Sequence, residues 1–270
     1  MKRNKRLILF FVFAYLFTWF FWSISLLDSQ GIIISPIPRE VFGIIGAFGP
    51  SIVGLIFLTR FKNRKVVNIL KETFILKGPL FWKLFAFLFM PFLLFFSYLI
   101  THYLFNIEYT LEWFKTPLAI PIVYLYILFL GGPLGEEIGW RGYALKELLR
   151  KFNPFIASLI LGIIWTFWHI PAFFIEGSAQ AGISFYLYII NTLIISLYIT
   201  ILFIKTEFRI SSALYFHASA NFALGIFYII DEPLGLLFVG IFMVISVIYL
   251  LLKYRKIYFN KINGTIKKNY

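Results

Sequence analysis

Three ionisable residues stand close together in the segment GGPLGEEIGWRGYAL, which covers residues 131–145 of a very apolar chain. Glu136 and Glu137 are adjacent, and Arg141 follows Glu137 at the i,i+4 spacing that favours a helical ion pair. An acidic or basic side chain inside a bilayer costs at least ~2.5 kcal/mol. A structural ion pair between Glu137 and Arg141 would account for two of the three charges, but it leaves Glu136 without a partner.

Two histidines interrupt other apolar segments of the chain. His169 lies in WTFWHIPAFF, and His217 lies in YFHASANFA with Asn221 four residues later on the same helix face. Each alone is commonly a helix–helix hydrogen-bonding residue. Together with Glu136, however, they suit hydrolysis, because a carboxylate can take a proton from water while imidazole and amide groups stabilise an oxyanion. A proton-coupled transporter remains an alternative on the same residues.

The composition identifies the medium in which these residues must be positioned. The 270 residues are 61% hydrophobic and 14% charged, whereas soluble domains are about half apolar and a quarter charged. Apolar runs of the ~20 residues needed to cross a bilayer recur along the chain. We therefore predict an all-α, multi-pass protein of the cell membrane, with residues 1–270 in a single integral membrane domain. The absence of cysteine excludes disulfides and thiolate chemistry.

About eight membrane helices are predicted from the apolar runs. The fourth is too long for one span and contains Gly131-Gly132-Pro133, where we expect a kink. Beyond the kink, the segment YALKELLRKF is expected to leave the membrane as an amphipathic helix. The predicted helices are about Leu7–Leu27, Val41–Thr59, Leu80–Leu104, Pro117–Leu149, Pro154–Phe174, Gly182–Ile204, Ile210–Ile230 and Pro233–Leu252.

The basic residues predict the orientation of these helices. If both termini are cytoplasmic, only Arg39 and Lys115 of the 25 lysines and arginines fall on the outer side, which is the bias typical of membrane proteins. The net charge of +13 is then explained by topology and by anionic lipids at the cytoplasmic face. No nucleic-acid partner is needed to explain this charge.

Distances along the chain predict that the polar residues share one depth. Glu136 and His169 are nearly equally far from a turn at Phe152, at ~25 Å for 1.5 Å per helical residue. His217 lies ~15 Å into a later helix, measured from the loop at Glu207. Side chains from three helices are therefore expected to meet within the membrane.

Three short motifs are similar to those of a known family. Residues EEIGWR match E-E-x-x-x-R, Trp165 to His169 match aromatic-x-x-x-H, in which the first residue is usually phenylalanine, and His217 to Asn221 match H-x-x-x-N. With these motifs in order, the chain resembles the CPBP family of intramembrane proteases, which includes the type II CAAX prenyl endopeptidases and the Abi proteins. The core of the resemblance covers about residues 117–230.

The resemblance implies a site with assigned roles, in a conical cavity open to the cytosol. Glu136 and His169 would activate water, and His217 and Asn221 would stabilise the oxyanion. Support for the site would come from Glu137, Arg141 and Trp165.

The sequence leaves more than one assignment open for the cofactor and for the function. One zinc ion held by Glu136, His169 and His217, with a fourth position open for water, is compatible with the sequence, and so is a site without metal. The resemblance implies an endopeptidase acting on a membrane-associated peptide or protein. A non-catalytic immunity or scaffold protein of the membrane is the second interpretation.

Overall fold

The computed structural model describes residues 3–109, 115–227 and 232–262. Every regular element in these ranges is a helix, and no strand occurs in them. The α-helices are α1 (Arg3–Ser29), α2 (Arg39–Ala47), α3 (Gly49–Lys62), α4 (Val66–Phe74), α5 (Leu80–Phe105), α6 (Ala119–Leu130), α7 (Pro133–Gly139), α8 (Lys146–Leu149), α9 (Pro154–Trp168), α10 (Phe185–Lys205), α11 (Ile210–Phe227), α12 (Pro233–Lys253) and α13 (Arg255–Phe259). A π-helical stretch (Trp140–Leu145) joins α7 to α8, and a 3-10 helix (Ile170–Phe174) follows α9.

The helical content confirms the predicted all-α polytopic membrane fold. Within the described residues, seven helical segments are long and apolar enough to cross a membrane. The predicted span 210–230 forms α11 but is not among these seven, because polar residues such as His217 and Asn221 make it less apolar. Residues 228–230 of that predicted span lie outside the described ranges.

The expected kink in the fourth span is present. Helix α6 ends at Leu130, α7 begins at Pro133, and Gly132 between them has φ of 107°, a conformation that favours glycine. The expected amphipathic face after the kink is wrong, since residues 135–149 are all buried, and where the segment leaves the membrane stays a prediction. Even Lys146 and Glu147 are at most 2% exposed. Their charges are paired with residues of neighbouring helices, so this segment does not need to face water.

Small residues allow α7 to pack directly against the backbone of α3 and of Ala47, the last residue of α2. Gly135 and Gly139 form a small-xxx-small pattern on α7. A Cβ atom on Gly54 of α3 would lie 2.6 Å from the Cα of Gly139, and a Cβ on Gly135 would lie 2.6 Å from the carbonyl oxygen of Ala47. This close approach fixes the helix that presents Glu136.

The two ends of the described chain lie at the same end of the helix bundle. Arg3 at the start of α1 pairs with Glu147, and the amide of Asn153 donates to the carbonyl of Phe259 in α13 at 3.3 Å. Which side of the membrane this end faces stays a prediction, and residues 263–270 lie outside the described part of the chain.

Candidate active site

The indole ring of Trp165 lies at the centre of the site. Its Nε1 donates a hydrogen bond of 2.5 Å to Oε2 of Glu136. The ring of His217 packs edge-on against it, with 5.2 Å between ring centroids. The guanidinium carbon of Arg141 lies 4.4 Å from its centroid, which is a cation–π contact. Helix α9 therefore connects the α7 segment to α11 through this side chain.

Glu137 links two of the three motifs. Its Oε1 accepts hydrogen bonds from Nη1 of Arg141 at 2.8 Å and from Nδ1 of His217 at 2.9 Å. The predicted ion pair with Arg141 is thus present, whereas the bond to His217 was not predicted. Since a carboxylate only accepts, Nδ1 of His217 carries the hydrogen, and Nε2 is the atom left for chemistry.

His169 directly follows α9 as its C-cap residue, and its ring is held by the helix itself. Its Nδ1 donates to the backbone carbonyl of Trp165 at 2.8 Å, so Nε2 is an acceptor in the neutral ring. The side chain is buried, and the ring of Tyr188 from α10 packs edge-on against it at 5.4 Å between centroids. His169 therefore presents a single nitrogen to the site.

Asn221 lies one turn beyond His217, near the break between α6 and α7. Its Nδ2 donates to the carbonyl oxygen of Gly131 at 3.3 Å. The neighbouring residue, Gly132, leaves room for the carboxylate, because a Cβ there would lie only 2.8 Å from Oε1 of Glu136. The amide of Asn221 is thus hydrogen-bonded to a carbonyl close to Glu136. The kink between α6 and α7 therefore contributes to the geometry of the site.

Reasoning from the sequence missed three contributions. The Gly-Gly-Pro triplet at residues 131–133 was a signal for the role of Gly132, but it was interpreted only as the cause of the kink. The donor function of Trp165 had a signal in the replacement of the usual phenylalanine. Tyr188, whose ring packs against that of His169, lies in an ordinary apolar run and had no signal.

Two buried polar atoms at the site have no hydrogen-bond partner among the described residues. They are Oε2 of Glu137 and Nη2 of Arg141. Leaving such an atom unsatisfied costs about 1–3 kcal/mol. Unsatisfied groups of this kind need a specific explanation, and a functional site is one.

The arrangement of donors does not fit a zinc ion held by Glu136, His169 and His217. In the ranges that the structure describes, no three His, Cys, Asp or Glu side chains come together closely enough to hold a metal. The ring of Trp165 contacts both imidazoles, with its centroid 5.9 Å from that of His169 and 5.2 Å from that of His217.

A carboxylate and two imidazoles buried among the helices of a membrane protein, with a carboxamide beside them, define a candidate intramembrane hydrolytic site. Comparisons with known proteins give the same class. Residues 117–223 match the sequence model of the type II CAAX prenyl endopeptidase Rce1-like family. This match confirms the resemblance to CPBP intramembrane proteases for the segment that contains all three motifs.

One curated relative supports the same comparison. The chain is 34% identical over 111 residues to the protein named CAAX prenyl protease 2 of Methanococcus maripaludis. The aligned part is 38% of this chain and 39% of that protein. The chain thus spans about two fifths of the length of the relative that it matches, so the similarity concerns a part of each protein and not the whole.

Proposed function

We propose that the chain is an intramembrane endopeptidase that hydrolyses a peptide bond of a membrane-associated protein or peptide. The observation that supports this most is the group of three side chains inside a membrane bundle in which the indole of Trp165 donates a hydrogen bond to Glu136 and packs against the ring of His217. This group lies within the residues that match a protease family. The name of the curated relative supports the coarse activity, cleavage of a protein at the membrane.

In the proposed reaction, Glu136 and His169 activate the attacking water. Both present acceptors, a carboxylate oxygen and the Nε2 of a neutral imidazole, and a water molecule has one hydrogen for each. Glu136 then takes the proton as water attacks the peptide carbonyl. A positioned general base of this kind contributes typically about 100-fold to 10,000-fold to the rate.

His217 and Asn221 stabilise the oxyanion in this scheme. When His217 is doubly protonated, the carboxylate of Glu137 at Nδ1 balances its charge, and Nε2–H donates to the developing oxyanion. The amide of Asn221 has two hydrogens, so it can keep its bond to Gly131 and donate the other to the oxyanion. The proton held by Glu136 finally passes to the leaving amine.

The proposal is tested by comparing the membrane peptidomes of host cells that express the wild type or Glu136→Gln at equal levels. New peptide ends are expected only with the wild type. If neither peptidome differs from that of host cells without the protein, the protease function is rejected and the immunity or scaffold interpretation is favoured. Flux of a solute into vesicles that depends on Glu136 would instead favour the transporter.

Metal dependence is tested separately on the purified active protein. We expect no stoichiometric metal by elemental analysis and no loss of cleavage after treatment with chelators. If activity and a bound metal disappear together in His169→Ala or His217→Ala, the scheme without metal is wrong.

A further inference from the structure

The indole of Trp165 supplies Glu136 with a donor that the usual residue at its motif position lacks. Phenylalanine, the common residue there, has a ring without a hydrogen-bond donor. In this chain, Nε1 of Trp165 donates to Oε2 of Glu136 at 2.5 Å, and both side chains are at most 4% exposed. The motif alone therefore does not explain how this glutamate is oriented.

The two oxygens of the Glu136 carboxylate have different surroundings. Oε2 is occupied by the indole N–H. Oε1 lies beside Gly132, at a place that a Cβ atom would approach to 2.8 Å. One oxygen is thus bound, while the other occupies space that a side chain at residue 132 would take from it.

The neighbouring Glu137 shows how a carboxylate at this site is bound when its partners are not neutral. Glu137 directs its Oε1 at a guanidinium and an imidazole, so this carboxylate is engaged in an ion pair. The bond that Glu136 receives comes from a neutral group. Glu136 therefore keeps the capacity to accept a proton while its orientation is set.

We propose that the N–H of Trp165 is a positioning group that binds Oε2 of Glu136 and so makes Oε1 the atom that accepts the proton from water. This inference rests on the proposed function, because it assigns an atom within the same reaction. Trp165 acts through Glu136 and does not itself touch the reacting atoms.

The chain offers a matched pair of substitutions. Trp165→Phe keeps a ring to pack against His217 and Arg141 but removes the donor. Trp140→Phe makes the same chemical change at a buried tryptophan whose Nε1 has no hydrogen-bond partner among the described residues. The ring of Trp140 packs against Phe10, Phe11 and Trp168, and its Nε1 makes no hydrogen bond to Glu136.

The experiment measures kcat and KM for both variants in lipid nanodiscs, with a synthetic peptide copied from the cleavage site that the peptidome comparison identifies. For Trp165→Phe we expect kcat to fall about tenfold or more, the scale of a lost hydrogen bond to a charged group, with KM changed less than about twofold. Trp140→Phe should keep the kcat of the wild type. A Trp165→Phe enzyme with the kcat of the wild type would overturn the inference.

Two further outcomes keep the inference separate from the proposed function. If the wild type cleaves the peptide no faster than Glu136→Gln, the proposed function itself fails. If Trp165→Phe also melts at a lower temperature, the profile of kcat against pH decides. A lost bond to Glu136 moves the acidic limb of that profile, whereas a merely structural defect lowers kcat and leaves the limb in place, which would reject the positioning role.

Discussion

The buried segment 133–149 holds ionisable residues at both ends but supplies them with different partners. At its C-terminal end, Glu147 is surrounded by cations. Its Oε1 lies 2.6 Å from Nζ of Lys62 and 3.2 Å from Nη1 of Arg150, and its Oε2 lies 3.3 Å from Nε of Arg3. Every oxygen of this carboxylate therefore faces a positive charge.

The adjacent Lys146 is neutralised in a similar way. Its Nζ lies 3.1 Å from Oε2 of Glu72, which also binds Arg64 through both carboxylate oxygens. We call Glu147, Lys146 and Glu72, with their partners Arg3, Lys62, Arg64 and Arg150, the ion-pair cluster. It joins α1, α3, α4 and α8 at one end of the bundle.

At the N-terminal end of the segment, positive charge is scarce. Glu136 and Glu137 share one guanidinium, that of Arg141, and it is hydrogen-bonded to Glu137 only. The hydrogen bond to Glu136 comes from the neutral indole of Trp165. The carboxylate of Glu147 is thus fixed in the ion-pair cluster, whereas the carboxylate of Glu136 is bound by a neutral donor and keeps its other oxygen beside Gly132. The comparison shows that the hydrogen-bonding or ion-pair partner of a buried carboxylate, and not its burial alone, separates a structural role from a catalytic one.

The largest expected effect is on catalysis by Glu136→Gln. The amide keeps the shape of the side chain but cannot accept a proton from water. Cleavage should fall at least ~100-fold, while the melting temperature in detergent stays at or above that of the wild type, since a costly buried charge is removed. An active Glu136→Gln enzyme would mean that the two glutamates are assigned the wrong way round.

Glu137→Gln should instead reduce stability, because it leaves Arg141 buried beside a neutral amide. We expect a loss of about 3 kcal/mol in the free energy of unfolding, measured by denaturation in detergent. Adding Arg141→Met should recover much of this stability. Activity should remain low in the double variant, since His217 has still lost its charged acceptor at Nδ1. Full recovery of cleavage would show that Glu137 serves Arg141 alone.

Glu147→Gln tests the other end of the comparison. The cations around Glu147 are partly exposed, with side-chain exposures of 46% for Arg3 and 14% for Lys62. In the variant, water can therefore replace part of the interaction that these cations make with the carboxylate. A destabilisation of about 2 kcal/mol is expected, between the values for surface and for fully buried pairs. The rate of cleavage per folded molecule should not change. If Glu147→Gln lowers the rate of cleavage as much as Glu136→Gln does, the assignment of a structural role to Glu147 and a catalytic role to Glu136 is wrong.

The smallest expected effect is the pH dependence contributed by Glu72. Burial alone would raise the pKa of Glu72, but hydrogen bonds from Arg64 and Lys146 and their charges outweigh it, so its pKa lies below the ordinary value of 4.5. Its stabilising contribution is therefore complete above about pH 4.5 and is lost as the pH falls through the folded pKa.

Melting temperatures of the wild type and Glu72→Gln, measured between about pH 6 and pH 3, check this contribution. The wild type should be the more stable protein at the upper end, and the difference should shrink as the solution is acidified. A difference that is constant over this range would mean that the carboxylate of Glu72 is not held in its charged form.

The amino-acid sequence by itself determined the fold class, most of the membrane helices and the break at Gly131–Pro133. These features depend on local properties, namely apolar runs, the lack of a donor in proline and the conformational freedom of glycine. The i,i+4 pair of Glu137 and Arg141 is equally local and was predicted correctly. The three motifs also identified the residues that the structure brings together, because each motif lies within one stretch of chain.

Tertiary structure alone decided which group partners which carboxylate. The bonds from Trp165 to Glu136 and from His217 to Glu137 join residues 29 and 80 positions apart, and no periodicity along the chain reports such pairs. The burial of Lys146 and Glu147 was mispredicted for the same reason. Their alternation with apolar residues looks amphipathic until Lys62 and Glu72, from distant helices, neutralise the two charges. A side chain's charge state and solvent exposure depend on its neighbours in space, and those are set only when the helices pack.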